Sequence, residues 1–185
     1  MSSRARLIEL IKEKSLKFGD FTLTSGKKAT YYLDGKQLTL DSEGSLLVAN
    51  AILEIAETEK IDCVGGMTLG ADPMVGSVLT AAGLKGVSLR GFIVRKEAKQ
   101  HGTEKWIEGI LTKNARVLIL EDVITTGGSV LKAIRRVEEA GGHVIRTVCI
   151  VDRLEGGGPF LQEQGYSLSA LTTIEELGVN VKEQH

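Results

Sequence analysis

The sequence predicts an α/β fold in which a mostly parallel sheet is flanked by helices. Short apolar runs of strand length alternate with amphipathic runs of helix length from residue 61 to residue 174. Strands separated by helices of this length pair in parallel, because each helix carries the chain back to the end at which the last strand began. A chain of 185 residues suits one domain with a sizeable core, and we expect a single domain over 1–185.

The N-terminal part of the chain does not follow this alternation. Apolar residues from Leu7 to Ile11 recur at helical spacing and predict an amphipathic opening helix. Two β-prone pieces on either side of Ser25–Gly26 predict a hairpin. We expect this hairpin to form a small hood, roughly residues 18–40, over the edge of a core that spans roughly 41–175.

The core elements follow in chain order. Asp41 or Ser42 is the candidate cap of a first helix, which apolar spacing extends to Ile55. The period of the apolar residues predicts strands at 61–66, 87–94, 115–122, 143–152 and 166–174, and helices at 73–83 and 129–141. Ligands of such folds bind at the carboxyl ends of the strands, so the loops of interest follow Val64, Val94, Leu120 and Val151.

Composition and charge disfavour several classes of protein. The formal net charge is −1, so no general attraction to nucleic acid or to an anionic membrane is expected. Cys63 and Cys149 both lie in apolar runs and are expected to be buried free thiols, not a disulfide or a metal site. No stretch has the pattern of a signal peptide or a membrane span, which leads us to expect a cytoplasmic protein.

The segment from Val117 to Ser129 carries the clearest chemical pattern. A buried-strand run is followed at once by Glu121 and Asp122, then by threonines, glycines and a serine before a helix. A helix start with free N–H groups binds anions, whereas adjacent carboxylates suit sugar hydroxyls or a hydrated magnesium ion. The pattern therefore predicts a ribose 5-phosphate site. The alternative is a plain strand-to-helix turn that a threonine or serine caps.

Two other phosphate-binding motifs fail on spacing. A P-loop would require glycine at Phe21 and serine or threonine at Lys28. The dinucleotide-binding fingerprint would require glycine at Met67, after Gly65. Neither motif therefore competes with the loop at 121–129.

The sequence of this loop, EDVITTGGS, resembles the PRPP-binding signature of the type I phosphoribosyltransferases. In that family the two acids hold the ribose hydroxyls of phosphoribosyl pyrophosphate (PRPP), and the loop holds its 5′-phosphate. The resemblance assigns the ribose to Glu121 and Asp122. It implies PRPP binding by Glu121, Asp122, Val123, Ile124, Thr125, Thr126, Gly127, Gly128 and Ser129.

Residues 95–103, RKEAKQHGT, are similar to the catalytic loop of the orotate branch of this family, which closes over the partner subunit's active site. The resemblance adds Arg95, Lys96, Lys99 and His101 to the PRPP-binding residues. It makes Lys99, His101 and Asp122 catalytic. Cationic groups on such a loop can neutralise a departing pyrophosphate. Composition alone leaves a solvated charged loop as the alternative.

Arg153, at the end of a predicted strand, is the candidate for recognition of the base. Arginine makes a two-pronged contact with a carboxylate, and a carboxylate is what distinguishes orotate from uracil. The resemblance therefore implies orotate binding by Arg153 and Thr125. Position alone leaves equally open a surface arginine that pairs with Glu155.

The hairpin and the loop at 65–73 resemble further parts of the orotate branch. The hairpin is similar to the family's hood, and Tyr31 and Tyr32 offer ring faces for stacking on a pyrimidine. Several members have a lysine where this chain has Thr24, so that role is absent or has moved to Lys27. The loop GGMTLGADP is similar to the family's pyrophosphate loop but lacks the lysine that some members carry there.

Together the resemblances imply transfer of ribose 5-phosphate from PRPP to orotate, which gives orotidine 5′-monophosphate for UMP synthesis. They also imply Mg²⁺ held through PRPP and not directly by protein side chains, and a homodimer with shared active sites. A purine or uracil phosphoribosyltransferase is the closest alternative, which the 95–103 loop and Arg153 disfavour. A transcriptional regulator on the same fold is disfavoured by the net charge of −1 and the lack of an added DNA-binding domain. The third alternative is one domain of a fusion protein, separated from the orotidylate decarboxylase domain to which it would be joined.

Overall fold

A computed structural model describes residues 2–22, 28–98 and 105–180. In chain order its elements are α1 (Ser3–Leu10), a π-helical turn (Ile11–Ser15), β1 (Leu16–Thr22), β2 (Lys28–Leu33), α2 (Lys36–Thr39), α3 (Ser42–Thr58), β3 (Cys63–Met67), α4 (Ala71–Leu84), β4 (Arg90–Val94), β5 (Ile107–Gly109), β6 (Arg116–Ile124), α5 (Gly128–Glu139), β7 (His143–Asp152), α6 (Gly157–Glu163) and β8 (Leu168–Thr173). Within these ranges, every helix is too short or too polar to cross a bilayer.

The core is a six-stranded sheet in the order β5-β4-β3-β6-β7-β8. Neighbouring strands pair in parallel except β4 and β5, which are antiparallel. The mostly parallel sheet predicted from the alternation of strands and helices is therefore confirmed. The two central strands, β3 and β6, end at the same edge, and the candidate loops follow them.

Side chains of β6 alternate between two hydrophobic cores, one on each face of the sheet. Leu118 and Leu120 belong to the core that includes residues of α1, α3 and α4. Val117 and Ile119 belong to the core that includes residues of α5 and α6. All four side chains are fully buried. Burial on both faces explains why β6 reads as a continuous apolar run without alternation.

Several boundaries differ from the sequence prediction. β4 begins at Arg90 and not at Val87, and β6 runs two residues beyond Asp122, to Ile124. The polar segment after β4 contains β5, which pairs with β4 at the edge of the sheet. The short helices α2 and α6 were not predicted either. Elements of three to seven residues show too little of either apolar period to be recognised, and tertiary contacts decide their conformation.

The predicted hairpin is confirmed in its two strands, β1 and β2, which pair antiparallel in a separate small sheet. Its connecting residues, Ser25–Gly26 included, lie outside the described ranges. Tyr31 is 2% exposed and belongs to the core, whereas Tyr32 is 45% exposed. One ring of the tyrosine pair thus fastens the hood to the core and the other faces outward.

Two local predictions are settled by the side chains. Asp41, not Ser42, caps α3, and its Oδ1 accepts hydrogen bonds from the N–H groups of Glu43 (3.1 Å) and Gly44 (3.0 Å). Cys63 and Cys149 are buried free thiols, as expected.

Candidate functional site

Glu121 and Asp122 are adjacent near the end of β6, and both are mostly buried, at 7% and 9% exposed. The Ser129 hydroxyl donates to Glu121 Oε2 at 3.1 Å, and the Val123 N–H donates to Asp122 Oδ1 at 2.9 Å. Both acids belong to the strand, as the predicted range 115–122 implied, and neighbouring turns cover them.

Two glycines lie directly against this acid pair. A Cβ atom on Gly70 would be 2.6 Å from Asp122 Oδ1 and 2.9 Å from Glu121 Oε1, and one on Gly35 would be 2.8 Å from Asp122 Cβ. Real Cβ atoms essentially never come closer than 3.0 Å to another heavy atom, so a side chain at either position would displace the acid pair or the turn that carries it. The turn after the hood and the loop at 65–73 therefore meet at the acid pair.

Lys36 brings a positive charge to the same place. Its Nζ lies 2.9 Å from Asp34 Oδ1 and 3.6 Å from Asp122 Oδ2. The hydrogen bond to Asp34, and also the charge of Asp122, raise the pKa of Lys36, so it stays charged. Sequence reasoning did not identify Lys36 or Gly35, because their link to Asp122 exists only once the hood is folded against the sheet. Gly70 lies in the loop at 65–73, which the sequence had indicated.

Burial raises the pKa of Glu121 to about 8, and the charge of Asp122 adds to the effect. The hydrogen bond from Ser129 acts in the opposite direction. Glu121 therefore holds a proton near neutral pH, and the two carboxyl groups do not both carry a charge.

The loop after β6 leaves the start of α5 open. Gly127, the residue before the helix, has φ +81°, in the left-handed region that favours glycine. Within the described residues, no side chain caps α5. The plain capped turn that the sequence left open is therefore not what forms. The N–H groups of the first turn are available to an anion, and Thr126 and Ser129 are exposed beside them.

Arg153 lies at the end of β7 and joins the hood to the sheet. Its Nε donates to the Tyr31 hydroxyl at 2.9 Å, and its guanidinium carbon lies 4.9 Å from the centre of the Tyr31 ring. Its Nη2 is 2.7 Å from Glu155 Oε1, which is the pairing that position alone had suggested. Arg153 is only partly buried and Glu155 is exposed, so a carboxylate of a ligand can take the place of Glu155 on the guanidinium.

A cavity of about 400 Å³ lies beside the loop at 65–73. Its lining residues are Thr68, Ile93, Arg95, Lys96, Glu97 and Glu108. The Arg95 guanidinium is 3.6 Å from Glu108, and Lys96 is exposed. Thr68 lines the cavity and Gly70 touches the acid pair, so only one short loop separates the cavity from the acid pair. Lys99 and His101, the other predicted cations, lie outside the described residues.

A larger cavity, of about 580 Å³, lies between α6 and β8 beside Asp152. Among the described residues, neither the acid pair, the open start of α5, Arg95 nor Lys96 lines it. Size alone is a weaker indication of function than converging polar groups, so the site is placed at the end of β6.

The chain matches the model of the phosphoribosyl transferase domain over residues 36–162. An orotate phosphoribosyltransferase of Rhodopirellula baltica is 44% identical over 181 residues, which cover 95% of this chain and 94% of that protein. The crystal structure of the Mycobacterium tuberculosis orotate phosphoribosyltransferase in complex with Fe(III) dicitrate is 36% identical, with a TM-score of 0.86, over 96% of this chain and all of that one. A PRPP complex of the same enzyme is 32% identical, with a TM-score of 0.82, over the same shares of the two chains.

Glu121 should make the stability of the fold depend on pH. Its pKa in the folded chain, about 8, exceeds its ordinary value of 4.5, so the folded state holds the proton more tightly. That stability is fully present below 4.5 and is lost as the pH rises through about 8. Glu121→Gln has no proton to lose. Between these two pH values, its free energy of unfolding should therefore rise relative to wild type by up to about 1.4 kcal/mol per pH unit.

Urea unfolding across this pH range measures the difference. The exposed acid Glu163 on α6 supplies the control, since Glu163→Gln should leave the pH dependence unchanged. A constant gap between Glu121→Gln and wild type would mean that Glu121 is ionised throughout.

Proposed function

The chain belongs to the orotate phosphoribosyltransferases, within the wider phosphoribosyltransferase family, and on that premise we propose the roles of its residues. Its reaction joins orotate to the ribose 5-phosphate of PRPP and releases pyrophosphate. The product, orotidine 5′-monophosphate, serves UMP synthesis. The observation that carries the proposal is the acid pair next to an uncapped helix start, since one ligand with a diol and a phosphate satisfies both.

Glu121 and Asp122 hold the ribose of PRPP, and the loop from Thr125 to Ser129 holds its 5′-phosphate. Each hydroxyl of a vicinal diol can donate and accept, which suits a pair made of the Asp122 carboxylate, an acceptor, and the protonated Glu121 carboxyl, which also donates. The phosphate accepts hydrogen bonds from the N–H groups at the start of α5 and from the loop hydroxyls. Val123 and Ile124 contribute as the backbone that joins the two parts.

Arg153 and Thr125 hold orotate. The orotate carboxylate takes the place of Glu155 on the guanidinium, while the Tyr31 hydroxyl keeps the arginine in position from the other side. The alternative of a purine or uracil phosphoribosyltransferase gives such an arginine no carboxylate to bind.

Arg95 and Lys96, beside the cavity next to Thr68, bind the diphosphate of PRPP together with Lys99 and His101. In the reaction the bond from the ribose C1 to the diphosphate oxygen breaks, and the diphosphate leaves with the bonding electrons. A bond forms between C1 and N1 of orotate, which loses its proton. Lys99 and His101 stabilise or protonate the departing diphosphate.

Mg²⁺ fits this site as a companion of the substrate. No group of three or more His, Cys, Asp or Glu side chains within the described ranges is arranged to hold an ion by itself. PRPP itself brings the hard oxygens that Mg²⁺ prefers, so the ion would be held through the substrate and not directly by protein side chains. When bound, the ion offsets negative charge on the leaving diphosphate.

Mg²⁺-dependent consumption of PRPP tests this function, with orotate, uracil, adenine and hypoxanthine assayed in parallel. Orotate should be the preferred base by a wide margin, because only orotate offers a carboxylate to Arg153. Turnover with a purine base and none with orotate would refute the proposal.

The variant Arg153→Ala tests whether Arg153 is the residue that gives the preference for orotate. The KM for orotate should rise far more than the KM for PRPP, since loss of one partner of a charged hydrogen bond costs about 2–5 kcal/mol. Tyr31→Phe removes only the hydroxyl that positions the arginine and should have a smaller effect of the same kind. Equal changes in both KM values would show that Arg153 does not read the carboxylate.

We infer also that two copies of the chain share their active sites in a homodimer. Two observations support this inference: the exposed leucine Leu69, which is next to Gly70 at the acid pair, and the similarity of the 95–103 sequence to a loop that serves the neighbouring subunit. A two-fold axis makes both sites equivalent.

Mixing two inactive variants tests the shared site. Lys99→Ala and Asp122→Asn should each be nearly inactive alone. After subunit exchange about half of the dimers are mixed, and each mixed dimer has one intact site, so about a quarter of wild-type activity should return. If exchange is confirmed by mass spectrometry and no activity returns, the loop serves its own subunit.

A further inference from the structure

The turn that leaves the hood, Asp34–Lys36, is fastened directly to the acid pair. The Asp34 N–H donates to the Ser15 carbonyl at 3.0 Å, and Asp34 Oδ1 accepts from the Lys36 N–H at 3.1 Å. Gly35 lies so close to Asp122 that even a methyl group would collide. Asp34 is therefore fixed at the base of the turn, and it accepts a hydrogen bond from the Lys36 ammonium as well.

The Lys36 ammonium lies between two carboxylates that belong to different parts of the protein. Asp34 belongs to the hood and Asp122 to the substrate site, and their side chains are 18% and 13% exposed. The Lys36 side chain is 40% exposed. An ion pair with so much contact with water contributes little to stability, typically about 0–1 kcal/mol. Its effect on a neighbouring carboxylate that must bind a ligand is a separate and more specific role.

Other charged groups face the acid pair, and Lys36 is the one cation that we find paired with it in the described part of the chain. Burial, and then the charges of Asp152 and Glu121, raise the pKa of the Cys149 thiol on β7. Asp72, at the start of α4, accepts a hydrogen bond from the Thr68 hydroxyl at 2.8 Å. Removal of Lys36 would therefore leave the acid pair without its paired cation.

We propose that Lys36 is a positioning residue for PRPP: it holds the Asp122 carboxylate, negatively charged and correctly oriented, where a ribose hydroxyl donates to it. This role rests on the proposed function, since it takes Asp122 as a ribose-binding residue. It predicts a defect in the use of the sugar phosphate and none in the use of the base. Asp34 contributes by holding the ammonium in place.

Four variants of the full chain test the role: Lys36→Met, Lys36→Gln, Lys36→Arg and Lys14→Met. Lys14 is the matched control, because its Nζ is also 2.9 Å from an aspartate, Asp41, far from the acid pair along the chain. Lys36→Met and Lys36→Gln should each raise the KM for PRPP about ten-fold, the effect of about one pKa unit of lost stabilisation. The KM for orotate should stay unchanged, and Lys36→Arg and Lys14→Met should resemble wild type.

A binding measurement and rescue by arginine separate positioning from simple support of the fold. Calorimetric titration of Mg²⁺–PRPP without any base should show the same ten-fold loss of affinity in Lys36→Met and affinity close to that of wild type in Lys36→Arg. This measurement needs no turnover, so failure of orotate as a substrate does not affect it.

Several results would overturn the proposal. Equal increases in both KM values, unchanged affinity for Mg²⁺–PRPP in Lys36→Met, or the same defect in Lys14→Met would show that Lys36 only supports the fold. Circular dichroism and thermal melting identify any variant that fails to fold. If Lys36→Met fails to fold, the polar substitution Lys36→Gln still tests the proposal. If neither neutral variant folds while Lys36→Arg does, the role is structural and the proposal is wrong.

Discussion

Two carboxyl groups buried side by side cost free energy, because each loses hydration and each repels the other. Glu121 and Asp122 meet this cost in three ways. Glu121 keeps its proton at neutral pH because its pKa is about 8. Ser129 donates a hydrogen bond to Glu121, and the Lys36 ammonium pairs with Asp122. A fold selected for stability alone would place apolar side chains here, as it does four times in succession before Glu121.

The rest of the site is arranged around this pair. Because β6 is buried on both faces, its end is fixed, and the turn at Gly35 and the loop at Gly70 close on it from different parts of the chain. The uncapped start of α5 follows the same strand end, and its Ser129 donates to Glu121. Arg153 lies at the end of the next strand and is tied through Tyr31 to the hood. A ligand with a sugar, a phosphate and a carboxylate-bearing base would bridge all of these parts, and their contacts are what an orotate phosphoribosyltransferase requires.

The parts that could be predicted from sequence are those in which local pattern and tertiary role agree. The buried run before Glu121, the glycines and hydroxyls after Asp122 and the helix of α5 lie within one continuous segment, so their spacing alone indicated a site. Lys36 is distant from Asp122 along the chain, and no motif links them, because the contact depends on how the hood folds back on the sheet. Likewise the sequence left Arg153 between two partners, and the side chain contacts Glu155 and Tyr31 together. The three-residue strand β5 was missed because pairing with β4, and not its own pattern, makes it a strand.

Binding of PRPP to a variant of Asp122 tests the central claim most directly. Asp122→Asn keeps the shape of the side chain and removes its charge, and Asp152→Asn is the matched control, since Asp152 is equally buried at the end of the neighbouring strand. Calorimetric titration with Mg²⁺–PRPP should show binding by wild type and Asp152→Asn and a severe loss in Asp122→Asn, with the circular dichroism spectra of all three alike. Unchanged affinity in Asp122→Asn, or a fold lost with the charge, would contradict the account.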